Sequence, residues 1–334
     1  MKAQELDRVQ QAGQRLMIGF DGTQLNDSLR YALDTLKVGG LILFSRNIDS
    51  PQQVERLCRD AQRYAATCGQ LPLFIAVDQE GGVVARLKPP FTQFAGNPAM
   101  HDEQDAIDFA VTTAEELTRV GFNMNMAPVL DVPPPNGPSV MLSRAFGRDP
   151  TWVGHLGGLI IQYLQSNGIM AVAKHFPGIG RTVLDSHHDL PDLDVDLPQL
   201  EDRDLAPFRQ AIAGGVKAVM MSHIRYAGID PQWPAGLSIP MVRDLLRKRM
   251  GFNGLVMTDD LDMGAIAKHF SIPRIVDQCL AATVDILMIC HAGPNIAAAH
   301  QQIVNRLQHN DDTATVGLAS VSRILSAKAC FSAA

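Results

Sequence analysis

The strongest constraint on this chain is an alternation that runs almost its whole length: a short apolar run, then a longer stretch whose polar residues recur at helical spacing. Eight such runs stand at residues 16–20, 39–44, 73–78, 122–131, 170–176, 218–223, 254–259 and 285–290. They are apolar along their length rather than at every second position, the mark of strands buried on both faces. Amphipathic stretches lie between them, at 51–67, 102–120, 150–165, 197–212, 239–250 and 272–281. Two of these carry start signals, Asp149 before Pro150 and Ser238 before Ile239-Pro240. There a short polar side chain can cap the first turn, and an early Pro costs no helical hydrogen bond.

Strands alternating with helices make a parallel sheet of βα units, and eight strands suffice to close it. The fold expected is α/β: a single (β/α)8 barrel of the TIM type, one domain over residues 1–334, with its active site at the carboxyl ends of the strands. From about residue 292 two more helices follow without a further strand and are expected to cover the barrel in the manner of outer-ring helices. A chain of 334 residues, 46% of them hydrophobic, can bury a core of that size, and no Ser/Gly-rich linker, low-complexity tract or repeat divides it.

Composition excludes several classes. The net charge of -6 comes without any Lys/Arg-rich run that could neutralise a row of phosphates, so no nucleic-acid partner is expected. The opening MKAQELDRVQQ lacks the apolar core of a signal peptide, and no stretch approaches the ~18 apolar residues of a membrane span. A cytoplasmic monomer without a membrane partner is the expectation. Five cysteines without CxxC spacing suggest neither a disulfide framework nor a structural zinc site. Neither GxGxxG after a strand nor GxxxxGK[ST] occurs, so no nucleotide cofactor is indicated, and none of another kind.

The strand ends carry the chemistry. They read Ser45-Arg46-Asn47, Asp78, Asp131, Lys174-His175, His223, Asp259-Asp260 and His291. A buried strand running into a charged group costs desolvation unless the charge is paired or used, and seven instances point to one shared pocket. Asp259 could serve as a nucleophile or electrostatic stabiliser, or else cap the next helix, a role that suits Asp260 better. Asp185 and His187 stand two apart in a loop; the pair could form a carboxylate-oriented general acid/base or simply a solvated loop pair, which His188 and Asp189 extend. Lys174, His175, Asp78, Arg86 and Arg144 are the kind of groups that grip hydroxyls and carbonyls, although Arg144 could equally pair with a helix start.

Several long motifs occur in a telling order: GGLILFSRNI (39–48), AVDQEGGVVARL (76–87), NMAPVLDV (125–132), SRAFGRDP (143–150), KHFPGIG followed by DSH (174–187), and GFNGLVMTDDLDM (251–263). Through them the chain resembles the single-domain, NagZ-type β-N-acetylglucosaminidases of glycoside hydrolase family 3, over about residues 16–293. The resemblance implies that Asp259 is the nucleophile, forming a covalent glycosyl-enzyme. It implies that His187, oriented by Asp185, is the acid and then the base, a departure from the usual carboxylate pair. It implies that Asp78, Arg86, Arg144, Lys174 and His175 hold the N-acetylglucosamine, and that the substrate is a small sugar or muropeptide from cytoplasmic peptidoglycan recycling. Gly178 and Gly180 would hinge the loop carrying His187.

Two positions depart from the family pattern: Ile179 where KHFPGHG has a second His, and Thr283 where a Gly is common. Within enzymes, Lys174, His175, His223 and Asp259 also resemble a metal-dependent barrel hydrolase, but the first strand lacks His-x-His. No metal is expected. Three rival functions are a β-glucosidase, a phosphorylase using phosphate in place of water, and a sugar-binding protein without catalysis. The last would ordinarily have lost Asp259 or His187, and both are present.

Overall fold

A computed structural model of the chain describes residues 2–184, 186, 189–309 and 311–331. Eight parallel strands close a barrel: β1 (Leu16–Ile18), β2 (Gly40–Leu43), β3 (Phe74–Val77), β4 (Met124–Asn125), β5 (Met170–Phe176), β6 (Ala218–Met221), β7 (Leu255–Asp260) and β8 (Ile286–Ile289). Each pairs with the next in chain order, and β8 returns to β1 through Leu16↔Leu287. Successive side chains take opposite faces. Met17, Met124, Met170, Met220, Met257 and Met288 fill the interior, where an unbranched side chain adapts to a tapering space, while Leu16, Ile18 and Ile75 face the helices.

Helices follow the strands at Asp27–Asp34, Pro51–Thr67, Glu103–Arg119, Pro150–Ser166, 197–213, Pro240–Arg249, Ile272–Ala282 and Pro294–His309. The expected start signals work as chemistry demands: Asp149 accepts from the Thr151 amide at 2.9 Å, and Ser238 Oγ from the Met241 amide at 3.3 Å.

Three expectations need correction. The run 122–131 is a strand only over Met124–Asn125, because Pro128 has no N–H to give; pairing resumes at the Val129↔Lys174 bridge. Asp260 is no helix cap. It ends β7, and its Oδ1 accepts from the amides of Asp262 and Cys290, while the next helix starts after Met263 with no side-chain cap. Nor does the last helix, Asp311–Phe331, join the outer ring: its Ile324 and Phe331 pack with Phe74 and Met17 inside the barrel, closing the amino end. The carboxyl end is left to the loops.

Candidate active site

At the carboxyl end, β3 runs into Asp78 and then a hairpin, Gln79–Gly81 with Val84–Ala85. Its turn needs glycine: Gly82 has φ +60, and a Cβ there would meet Ala95 O at 2.8 Å. The buried amide of Asn125 on β4 holds the hairpin by exchanging two hydrogen bonds with the backbone of Gln79, at 3.0 Å each. Gln79 Oε1 in turn accepts from the amides of Arg86 and Leu87. Two carboxylates, Asp78 and Glu80, and one cation, Arg86, are thereby brought to β5.

Lys174 Nζ, 3% exposed at the end of β5, lies 2.7 Å from Asp78 Oδ1 and 2.6 Å from Glu80 Oε1. Arg144 holds Glu80 in a two-pronged pair, Nε to Oε2 at 2.9 Å and Nη2 to Oε1 at 2.7 Å. Arg86 Nη2 stands 3.5 Å from Asp78 Oδ2. Burial alone would raise both carboxyl pKa values. The charges of Lys174 and Arg86 outweigh it at Asp78, bringing it down to about 2, and Lys174 with Arg144 do the same at Glu80. Burial likewise works against charge on Lys174 and Arg144; the carboxylates overcome it and raise both. The network thus stays fully ionised, three cations to two carboxylates. Arg86 also keeps a buried Nε without a protein partner.

His175 points Nδ1 at Asp131 Oδ2, 2.7 Å away, and Asp131 is wholly buried. Asp131 is thus no ligand group but a support beneath His175. On β7, Asp259 is half-buried and its Oδ1 accepts from the Asp260 amide at 2.8 Å. His223 Nε2 donates to the Asp260 carbonyl at 3.0 Å, and burial holds its imidazole below the ordinary histidine range despite the opposing charges of Asp259 and Asp260. The thiol of Cys290, raised by burial, feels Asp260, Asp259 and Asp78 together. The β3 and β7 carboxylates stand at the same, carboxyl end of the barrel.

Asp185 and His187, with His188, lie outside the described residues. What surrounds them bears on the loop. Gly178 and Gly180 are not free hinges: a Cβ on Gly180 would lie 2.1 Å from Val132 O, and Tyr226 Oη donates to the Gly178 carbonyl at 2.8 Å. The Ile179 amide donates to Asp131 Oδ1 at 2.7 Å, and Arg181 pairs with the buried Asp204 at 2.8 Å. The loop root through Thr182 is thus held in place, and just beyond it Val183 and Leu184 are exposed. On the far side the Ala265 amide donates to Ser186 O at 3.1 Å, and His269 Nε2 bonds Asp189 Oδ1 at 2.7 Å. The loop spans from β5 to the segment that follows β7.

The Lys174, His175, His223 and Asp259 set does not converge as a metal site would, since the first three are turned to Asp78 and Glu80, to Asp131 and to a carbonyl. Among the described residues, Asp260, Asp262 and His291 form the one group with atoms close enough to hold an ion. Asn47 and Arg46, at the end of β2, bond the carbonyls of Phe20, Gly22 and Cys290 and serve the scaffold. Glu80, central to the network, escaped sequence reasoning because Gln79-Glu80-Gly81-Gly82 reads as a solvated turn. Its signal was an acidic residue two after Asp78 and just ahead of Arg86.

A parallel barrel with an ionised carboxylate and a grip of charged residues at its carboxyl end is the construction of a barrel hydrolase. Residues 1–327 match the model of the glycosyl hydrolase family 3 N terminal domain, and the chain belongs to that family of glycoside hydrolases. It is 36% identical over 285 residues to a beta-hexosaminidase of Nitrosomonas eutropha, covering 83% of this chain and 80% of that one. Among solved structures, the family 3 beta-N-acetylglucosaminidase of Paenibacillus sp. str. FPU-7 superposes with a TM-score of 0.93 at 36% identity. The match covers 97% of this chain but 62% of the Paenibacillus one, which is the longer protein. A beta-N-acetylhexosaminidase of Beutenbergia cavernae superposes at 0.88 with 29% identity, over 97% of this chain and 99% of that one.

Proposed function

We propose that this glycoside hydrolase is a retaining exo-β-N-acetylglucosaminidase, acting as one barrel domain on a terminal, non-reducing β-N-acetylglucosamine. The observation that carries the reading is that Asp259, half-buried and steadied by the Asp260 amide, stands at the same end of the barrel as the ionised grip of Asp78, Glu80, Arg144 and Lys174. The names of the relatives support the choice of sugar. Asp78, Arg86, Arg144, Lys174 and His175 hold the sugar's hydroxyls and acetamido group. A carboxylate of Asp259 attacks the anomeric carbon as the bond to the leaving oxygen breaks and His187, oriented by Asp185, delivers a proton to that oxygen. Water then gives its proton to His187 and displaces Asp259. Positive charge grows at the anomeric centre in both steps, so an ionised Asp259 stabilises the transition states more than the neutral sugar.

In this reading the natural substrate is N-acetylglucosamine linked to anhydro-N-acetylmuramic acid, with or without peptide, met in the cytoplasm during cell-wall recycling. No helix among the described residues is long and apolar enough to cross a membrane. The deciding experiment incubates the protein with an aryl β-N-acetylglucosaminide and, separately, the aryl β-glucoside, with and without phosphate. Release from the first alone, independent of phosphate, is expected. Release only from the glucoside, or only with phosphate, would replace this reading with a β-glucosidase or a phosphorylase. His187→Ala should slow poor leaving groups more than activated phenols; equal losses would remove His187 from the acid role.

A further inference from the structure

We infer that Asp131 is a positioning residue that sets the sugar grip and the loop root with the two oxygens of one carboxylate; the inference rests on the reading above. Asp131 follows the irregular pairing of β4 and is completely buried. Its Oδ2 takes the Nδ1 proton of His175 at 2.7 Å. Its Oδ1 takes the Ile179 amide at 2.7 Å and, more weakly, the His175 amide at 3.4 Å. A carboxylate offers acceptors only, so its bond to His175 places the imidazole proton on Nδ1. His175 Nε2 is then left for the ligand in a defined state, as an orienting carboxylate does for a metal-bound or catalytic histidine. Ile179 begins the segment that leads, past the packed Gly180 and the Arg181–Asp204 pair, to the acid/base loop. The side chain at 179 is buried against the core, so the position is tied to the site through its backbone amide.

An amide in place of this carboxylate has one accepting oxygen and one donating NH2, so it can keep the Ile179 bond only by offering His175 Nδ1 a donor, which forces the imidazole proton onto Nε2 and spoils the state offered to the ligand. Asp131→Asn should therefore lower kcat/KM about 10- to 100-fold, the usual range for loss of an orienting partner. For an activated aryl N-acetylglucosaminide the loss should lie in KM. For poor leaving groups a further fall in kcat should appear as the loop root loosens. In a His175→Ala background the same change should leave KM where it is and still lower kcat for poor leaving groups. Losses that multiply across both parameters and both backgrounds would mean a merely structural role and overturn the inference, as would an unaltered Asp131→Asn enzyme.

Should Asp131→Asn fail to fold, the wild-type protein supplies the test. Nitrogen NMR of the imidazoles, with His175 assigned by its absence in His175→Gln, should show Nδ1 carrying the proton, and a proton on Nε2 alone would overturn the inference. Wild-type protein inactive on the N-acetylglucosaminide would defeat the sugar reading, and with it Asp131's role there. A fully active wild type with an indifferent Asp131→Asn defeats the Asp131 inference alone.

Discussion

The two ends of this barrel each bury a cluster of charges, and they treat them in opposite ways. At the amino end Asp285 is wholly buried and its oxygens are filled by Arg247 at 2.6 Å, Arg323 at 2.8 Å, Ser320 at 2.8 Å and the Val256 amide at 2.9 Å. Burial prevails at two arginines of this cluster: it brings Arg15, whose Nε also meets the Asp285 carbonyl, down to about 10 and lowers Arg247, with Asp285 opposing in both cases. At the carboxyl end the partners prevail over burial, and Lys174 and Arg144 are raised while Asp78 falls to about 2. The amino end joins β7 and β8 to the helix Pro240–Arg249 and the last helix in one body. The carboxyl end keeps its groups ionised, with Arg86 and Asp259 only partly engaged, so that a polar ligand can complete them. Grooves of about 510 and 620 Å³ do flank the last helix at the amino end, lined by Arg323 of the Asp285 cluster in the first and by the exposed Glu55–Arg59 pair in the second.

If that contrast is right, mutations at the two ends should separate function from stability. Asp259→Ala should abolish turnover, by at least about 10⁴-fold in kcat, with a melting temperature close to wild type. Full activity would remove Asp259 from the mechanism. Asp285→Ala should do the reverse. It leaves Arg15, Arg247 and Arg323 facing one another without their carboxylate and should cost about 3–5 kcal/mol in urea unfolding, while kcat per folded molecule stays unchanged. An equal loss of kcat there would show that the amino end reaches the chemistry and would break the comparison.

The barrel was legible in the sequence because a strand buried on both faces must be apolar throughout, and eight such runs leave few alternatives. The strand ends were legible for the same reason, since Asp78, Lys174, His175 and Asp259 interrupt apolar runs where an unused charge would be costly. What was illegible depended on closure of the barrel. Glu80 is enclosed by Arg144, from the turn that precedes the helix Pro150–Ser166, and by Lys174 on β5, and Asp131 looks like a ligand group until His175 is seen lying over it. The locked loop root was hidden too, since glycines at 178 and 180 suggest freedom, whereas Gly180 is there because nothing larger fits against Val132.

The amino end also makes a prediction about pH. Lys328, on the closing helix, is buried with its Nζ 2.6 Å from Gln14 Oε1, 2.8 Å from Gly39 O and 5.2 Å from the centre of the Phe74 ring, and burial brings its pKa from 10.5 to about 7. Between those two values the unfolded chain holds a proton that the folded one has released, so stability should rise with pH from about 7 to about 10 and be insensitive to this group below 7. At about 1.4 kcal/mol per pH unit, and with the two acceptors and the ring partly compensating, a rise of a few kcal/mol is expected. Lys328→Met should flatten it in denaturant titrations at several pH values. A slope identical to wild type would show that the lysine stays charged at the bottom of the barrel.

The smallest effect tests one residue that departs from the family pattern. Thr283 sits at the carboxyl end of the helix Ile272–Ala282 with φ +69, a left-handed position where a β-branched residue is strained and Gly is the usual choice. Arg247 holds it there, with Nε 3.1 Å from Thr283 Oγ1 and 3.2 Å from its carbonyl. The same guanidinium binds Asp285, so the strained turn is attached to the amino-end cluster. Thr283→Gly relieves the backbone and loses only the hydroxyl bond, because the carbonyl and Asp285 still occupy Arg247; a gain of about 0.5–1 kcal/mol is expected. Thr283→Ala keeps the strain and loses the hydroxyl, so it should destabilise by a similar amount. If the glycine variant is less stable than wild type, the threonine hydroxyl contributes more to the cluster than its backbone costs, and Thr283 belongs to the structural end of the barrel as firmly as Asp285 does.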